Sequence, residues 1–466
     1  MTWRDGILPA PMLRTAIVAP ERHLRRVLVE VADAGVFEPD ASERVTDGPF
    51  ARLAEEARLS RTETTPQLSV DPVEVDELDP ERDRARVLGE ADLEQRVAAA
   101  VRTHRCAVLP GWIPRQQADA LQSRLAPHGG AVVELPVLRG LMAPTAHTDS
   151  GIGHALRPLV TTYATMPYRD LDPTFFAAFS YMVMFGMMFG DVAHGLAIVV
   201  FGIVASRAHA DRWRTAHEAT PFLIGAGLAA TGFGLLYGEA FGPTGLVPTL
   251  WIRPLDEPQQ FLVAGLVLGS CLLAMTFVLA VINRWREAGP GVALYDASGI
   301  AGALLFAGAA AFVAGMSLSE SWLRLAGAVL AVLGGILTFV GLLVKAGPGA
   351  GGVAQALVEM FDTLLRLGSN VVSFTRLAAF GLTHAVMTTV VWDGTVALWE
   401  HSTIVAAGAS IVLFTVGNAA AFALGALVGA IQALRLEYYE MFSRLFSEQG
   451  RPFEPWHVPI QRSETP

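Results

Sequence analysis

A chain of 466 residues that is 52% hydrophobic and only 17% charged, with a mean hydropathy of +0.42, is too apolar for a soluble protein of its size and reads as a membrane protein. Its formal net charge of −10 comes without a basic stripe, which speaks against a nucleic-acid partner. Its two cysteines, Cys106 and Cys271, lie far apart in the chain and exclude a disulfide framework.

The charges are uneven. Residues 1–173 hold 20 of the 34 Lys/Arg and 26 of the 44 Asp/Glu, so a polar part precedes an apolar one. Residues 1–30 lack the continuous apolar core of a secretory signal, and the polar part is expected to stay in the cytoplasm. Within it, RTAIVAP, ERHLRRVLVEVADAG and VFEP read as strand, helix and strand, and CAVLPGWIP, PRQQADALQSRLAPHG and AVVELPV repeat the pattern. Helical leucines and valines three and four apart predict helices packed on one sheet face. The expectation is a small cytoplasmic α/β lobe over 1–138. A short helical hairpin is inserted at about 50–104, broken by an acidic, proline-containing turn near Pro66–Pro80. A linker over 139–173 leads to a membrane domain over 174–446 and a cytoplasmic tail over 447–466.

Apolar spans run at about 174–205, 219–241, 258–283, 298–317, 322–345, 370–398 and 402–434, each near or above the length that crosses about 30 Å of hydrocarbon. Arg207, Arg212 and Arg214 follow the first span, Arg284 and Arg286 the third, Lys345 and Arg366 the fifth, and Arg435, Arg444 and Arg451 the last. The intervening loops hold only Arg253 and Arg324, so the positive sites are assigned to the cytoplasm. An amino-terminal lobe and a 206–218 segment on the same side require an even number of crossings in 174–205. The alternative, one tilted helix, would break the loop-charge pattern. A hairpin satisfies this, with arms of roughly 15 residues, about 22 Å each at helical rise. Its turn, FGMMFGDVAHG, then falls within the membrane, where irregular backbone survives only when buried in protein or lining a wet cavity. The fold class is a mainly α-helical polytopic membrane protein of about eight transmembrane helices, the last two long and tilted.

Ionisable residues inside such spans mark functional sites by default. Arg376 lies in VVSFTRLAAFGLTHAVM; Ser373 and Thr383 share its helical face, and His384 stands about 80° further round. On the last helix, Gln432 shares the face of Arg435, and a straight 402–434 helix of about 48 Å exceeds the bilayer and must tilt. Asp191 and His194 sit in the hairpin turn, and Glu239 closes the second span. Blander readings stand beside these: Arg435 and Arg376 as snorkelling cations, Asp191 as a turn residue, Glu239 as a boundary carboxylate, the histidines as core residues, and Asp362 with Glu359 as a solvated helix face. No G-x-x-x-x-G-K-[ST] is present, so no phosphate-cradling loop is expected, and no Cys/His/carboxylate cluster has metal-ligand spacing. No cofactor is expected.

The segments DPTFFAAFSYMVMFGMMFGDVAHG, GLLYGEAFG, NVVSFTRLAAFGLTHAV and ALRLEYYEMFSRLFSEQGRPFEPW closely resemble, in order and spacing, the membrane half of the large membrane subunit of V-type and A-type ATPases, subunit a or subunit I of the 116 kDa family. The likeness spans about 165–457, and the pieces around LPGWIP resemble the cytoplasmic lobe nearest the membrane. The resemblance implies a non-catalytic stator, multi-pass in a prokaryotic cell membrane with both termini cytoplasmic. It would form ion half-channels against a proteolipid ring and couple proton or sodium movement to ATP hydrolysis or synthesis. Implied partners are the ring, the peripheral and central stalk subunits and the lipid bilayer. The family's essential arginine falls on Arg376 and its second helix arginine on Arg435, while Asp191, His194, Glu239, Asp362, Ser373, Thr383, His384 and Gln432 are the candidate ion path. The family's cytoplasmic domain is usually about twice as long, and about 50 residues stand here in place of its coiled-coil helices and distal lobe. The rival readings are an uncoupled scaffold or regulatory relative and a stand-alone secondary transporter; the second should show an internal repeat, and none is evident.

Overall fold

The computed structural model describes residues 9–40, 48–58, 64–138, 140–146, 152–208, 213–401, 403–446 and 450–460. Arg212, the linker residues 139 and 147–151, and the tail residues 447–449 and 461–466 lie outside the described residues. The chain forms two compact units, one of Met1–Thr148, Thr165–Tyr168 and Gly450–Pro466, the other of Asp149–Ala164 and Arg169–Gln449.

In the first unit β1 (Met12–Pro20), α1 (Leu24–Ala34) and β2 (Glu38–Pro39) are followed by an inserted helical pair, α2 (Pro49–Arg58) and α3 (Arg84–Ala99). The chain then runs through β3 (Val101–Arg102), β4 (Cys106–Pro114), α4 (Ala118–Leu125) and β5 (Ala131–Glu134). The strand order is β2-β4-β1-β5, with β3 also on β4, and β1 and β4 pair antiparallel from Met12↔Pro114 to Pro20↔Cys106. Setting aside the inserted helices and the two-residue β3, this is a β-α-β-β-α-β arrangement. Val27, Leu28 and Val31 of α1 and Leu121 and Leu125 of α4 close one core with Ile17, Leu109 and Ile113, as the helical spacing requires. Arg25 donates to both oxygens of Glu90 at 2.6 Å, a bidentate bond that fixes the inserted α3 to α1.

The carboxy-terminal segment belongs to this unit. Trp456 N donates to the Phe37 carbonyl at 2.9 Å, Val458 N to Ala32 at 3.1 Å and Leu68 N to Pro459 at 3.0 Å, while Trp456 Nε1 reaches Asp92 at 2.6 Å. Gly35 ends α1 at φ 60°, and a Cβ there would stand 2.6 Å from His457, so only glycine suits this position.

The second unit is helical: α5 (Thr174–Met188), α6 (Val192–Arg207), α7 (Thr220–Tyr237), α8 (Pro258–Ala288), α9 (Ile300–Ser317), α10 (Ser321–Ala346), α11 (Ala350–Ser373), α12 (Thr375–Trp399) and α13 (Ile404–Leu436). Among the described residues six stretches are long and apolar enough to cross a membrane, and α5 and α6 are shorter apolar helices. The chain is an integral membrane protein, mainly helical, with a small amino-terminal sheet unit. The short pair runs as two antiparallel arms along α7. Gly186 of α5 abuts Ala229 and Gly190 abuts Tyr237, whereas Gly195 of α6 abuts Thr231 and Gly202 abuts Ile224. A Cβ on Gly195 would lie 2.5 Å from Thr231 N, so small residues are what allow this approach. The turn between the arms lies level with the end of α7 and is enclosed by protein, with Phe189 and Asp191 both fully buried.

α11 and α12 are one long apolar stretch, Ala350–Trp399, interrupted at Phe374. The Phe374 ring seats against α8 at Gly269, where a Cβ would stand 2.1 Å from Cγ. The second helix of this pair therefore begins one residue before Arg376. α13 has 33 residues, about 50 Å at helical rise, and passes directly into a π-helical turn, Glu437–Phe442.

Candidate functional site

Polar side chains gather at two places on α12, eight residues or about 12 Å apart along its axis. The first is the amino-terminal turn. Arg376 Nε donates to the Ser373 carbonyl at 3.2 Å, an oxygen near the end of α11 that the break at Phe374 leaves available. Its Nη2 donates to Glu440 Oε1 at 3.0 Å. Ser373 thus contributes its backbone to Arg376. The side chains of this pair are 23% and 10% exposed, which makes it a half-buried ion pair, costly to break by removing one partner. Glu440 stands on the π-helical turn, the kind of irregularity that recurs at functional sites. Beside it Arg444 lies over the Phe277 ring at 5.0 Å and faces the Asn370 amide, whose oxygen, with the amide turned over to suit its neighbours, accepts from Arg444 Nε at 3.1 Å. Glu437 points elsewhere: it is fully buried and accepts from Ser180 Oγ of α5 at 2.9 and 3.0 Å.

The second gathering surrounds His384 on the buried face of α12. His194 and His384 have ring centroids 5.5 Å apart, with Phe189 4.7 Å from His384 and 5.7 Å from His194. All four imidazole nitrogens are buried and have no hydrogen-bond partner among the described residues. Asp191 Oδ1 lies 3.8 Å from His194 Nδ1, yet its bonds go to backbone: Oδ1 caps α6 at His194 N, 2.9 Å, and Oδ2 accepts from Gly242 N at 3.0 Å. Asp191 thus acts as a turn and cap residue that also stands close to His194. Glu239 is 6% exposed, and its carbonyl accepts from Val192 N at 2.9 Å.

The chain bends sharply to put Glu239 there. Gly238 and Gly242 have φ of 72° and 90°, and Phe241 between them has φ 52°, a conformation that bulky residues rarely adopt. Its ring packs edge-on to His194 at 5.4 Å. On the far side of His194 a cavity of about 280 Å³ opens between α6 and α13, lined by Phe241, Phe414, Thr415, Asn418 and Phe422. α13 can approach because residue 425 is glycine; a Cβ there would stand 2.5 Å from His384 Nδ1.

The structure thus brings Asp191, His194, Glu239 and His384 together, and leaves the other candidates apart from them. Thr383 is exposed and its hydroxyl donates to the Ala379 carbonyl at 2.8 Å. Arg435 is exposed and Gln432 half-buried on α13. Asp362 is exposed and pairs with Arg366 at 2.7 Å, as a solvated helix face would. Sequence reasoning missed Glu437, Glu440, Arg444 and Asn370. The signal was present, since Glu437 and Glu440 are three residues apart and share a helical face, but LEYYEMFSR also fits a membrane-interface helix.

The family of V-type ATPase 116 kDa subunits has a model that matches residues 97–253, covering part of the lobe and the short helical pair. The A-type ATP synthase subunit I of Aeropyrum pernix is 27% identical over 78% of this chain and 59% of its own length. Those of Archaeoglobus fulgidus and Thermococcus kodakarensis are each 25% identical, over 75% and 81% of this chain and 58% and 57% of their own. The likeness read from the motifs is borne out. The chain spans about three fifths of the length of these relatives.

Proposed function

We propose that the chain is the stator of a rotary V/A-type ATPase membrane sector, standing beside a proteolipid ring and providing the ion path on which that ring turns. The observation that carries the reading is Arg376: a half-buried guanidinium on the first turn of an apolar helix, on the side where Ala379, Thr383, Val386 and Val390 are exposed at three- and four-residue spacing. A carboxylate carried past it on the ring would give up its proton, because an opposite charge within about 4–6 Å lowers a carboxyl pKa by roughly 1–3 units. The fixed cation also bars direct passage between two offset aqueous paths, so the ion must travel with the ring. The His194/His384 pair beside its cavity suits one of those paths, since an imidazole accepts at one nitrogen and releases at the other. Arg435 supports Arg376 from α13. The ion is a proton or sodium, and the chemistry of ATP belongs to other subunits, joined through peripheral and central stalks. The positive loops support a cytoplasmic amino-terminal unit, which also contains the carboxy-terminal segment.

The test is ATP-driven acidification of inverted membrane vesicles. Arg376→Ala is expected to abolish pumping while the complex still assembles; pumping retained at the wild-type ratio to ATP hydrolysis would remove the reading and favour an uncoupled relative.

A further inference from the structure

Arg376 is already engaged within its own chain. Its Nη2 and Nε are bound to Glu440 and the Ser373 carbonyl, while Nη1 is buried and meets no acceptor among the described residues. One carboxylate is in place, and one donor of the guanidinium is left without an acceptor among the described residues. Glu440 faces Arg376 from α12 and Arg444 beyond its own turn, and Arg444 in turn faces Arg366 of α11, which pairs with Asp362. Glu437, the nearest carboxylate on its own element, is turned to Ser180 on α5. α8 meets this region through Phe277, beneath Arg444.

We infer that Glu440 is the resident counter-ion of Arg376, the carboxylate that an incoming ring carboxylate displaces and that takes the guanidinium back when the ring moves on. This rests on the stator reading. Exchange of one carboxylate for another on the same guanidinium is close to balanced, because each donor lost is regained. A bare cation would instead hold the ring carboxylate tightly, since a desolvated charge pair is costly to separate, and a tightly held carboxylate stalls rotation. Glu440, when displaced, keeps Arg444 nearby as a compensating charge. The ring carboxyl releases its proton to one aqueous path as it nears Arg376, so the exchange itself is between two carboxylates, and the ring carboxylate takes a proton from the other path after leaving Arg376. Glu440 is a positioning residue, acting through Arg376.

The experiment measures ATP-driven acidification by the assembled enzyme in vesicles across a range of pH, for wild type, Glu440→Gln, Glu440→Asp and Arg376→Ala. Without the competitor, release of the ring carboxylate depends more on its protonation, which acid favours. Glu440→Gln is therefore expected to slow pumping about tenfold, the equivalent of one pKa unit, with coupling to ATP hydrolysis intact. Its pH optimum should move about one unit more acidic, and Glu440→Asp should fall between it and wild type. A wild-type rate and optimum in Glu440→Gln, or a slower rate with an unmoved optimum, overturns the inference while a null Arg376→Ala leaves the stator reading standing. Pumping by Arg376→Ala removes that reading itself. Should Glu440→Gln fail to assemble, Glu440→Asp carries the test, and an unchanged optimum there is equally fatal.

Discussion

The two polar gatherings on α12 are built from the same helix, yet they solve opposite problems. At its amino-terminal turn the chain keeps a charge that cannot be removed, and stabilises it with a carboxylate, a freed carbonyl and partial exposure. Around His384 it encloses two imidazoles among phenylalanines, with no hydrogen-bond partner for any ring nitrogen among the described residues. On the proposed stator reading, the contrast is a division of labour between a fixed electrostatic barrier and groups able to take up and release a proton. Charge permanence, more than polarity, distinguishes the two ends.

That contrast can be broken by exchanging the requirements. Arg376→Lys keeps the charge but loses the planar fork that serves Ser373 and Glu440 together, and pumping in vesicles is expected to fall at least about tenfold; wild-type pumping would mean that charge alone suffices. His384→Phe removes the exchangeable group while filling the same space, and should slow pumping several-fold without uncoupling it. A loss as complete as that of Arg376→Ala would contradict the division. Arg435→Ala, at an exposed site, should cost less than either in the same assay. Replacing Asp191 by Ala removes both the cap of α6 and the bond to Gly242, and should lower stability in detergent by about 1–2 kcal/mol, read as a lower midpoint of thermal unfolding.

The smallest effect concerns a carboxyl outside the helices. Asp170 is fully buried, and burial, followed by the neighbouring Glu287 carboxylate, pushes its pKa up to about 8 from 3.8. A carboxyl whose folded pKa is raised binds more protons folded than unfolded, so stability falls as pH rises between these values. Asp170→Asn should flatten that slope between about pH 4 and pH 8. An unchanged slope in thermal unfolding would show that another group titrates there.

Much of this architecture was legible in the chain itself. Loop arginines and parity pointed to a short helical pair in 174–205, and α5 and α6 run antiparallel along α7, because glycines at 186, 195 and 202 allow close packing. The strands and helices of the lobe announced themselves by local periodicity. What stayed hidden depends on contacts distant in sequence. Trp456 and Val458 bind backbone at Phe37 and Ala32 through single bonds that leave no repeating pattern. Glu440 was missed for a related reason: LEYYEMFSR looks like an interface helix until a π-helical turn brings one glutamate to Arg376 and another to Ser180. The candidate site was thus half readable, since intramembrane charges stand out but their partners do not.

The most direct test of the central claim is cross-linking from the exposed side of α12. A cysteine at Thr383, in a chain with Cys271 and Cys106 replaced, would be coupled to its neighbours in intact native membranes through a short bifunctional reagent, and the products identified by mass spectrometry. The account predicts a cross-link to a small proteolipid, with ATP-driven rotation blocked once it forms. A cysteine that reaches only lipid, or only another copy of this chain, while the enzyme remains assembled would contradict it.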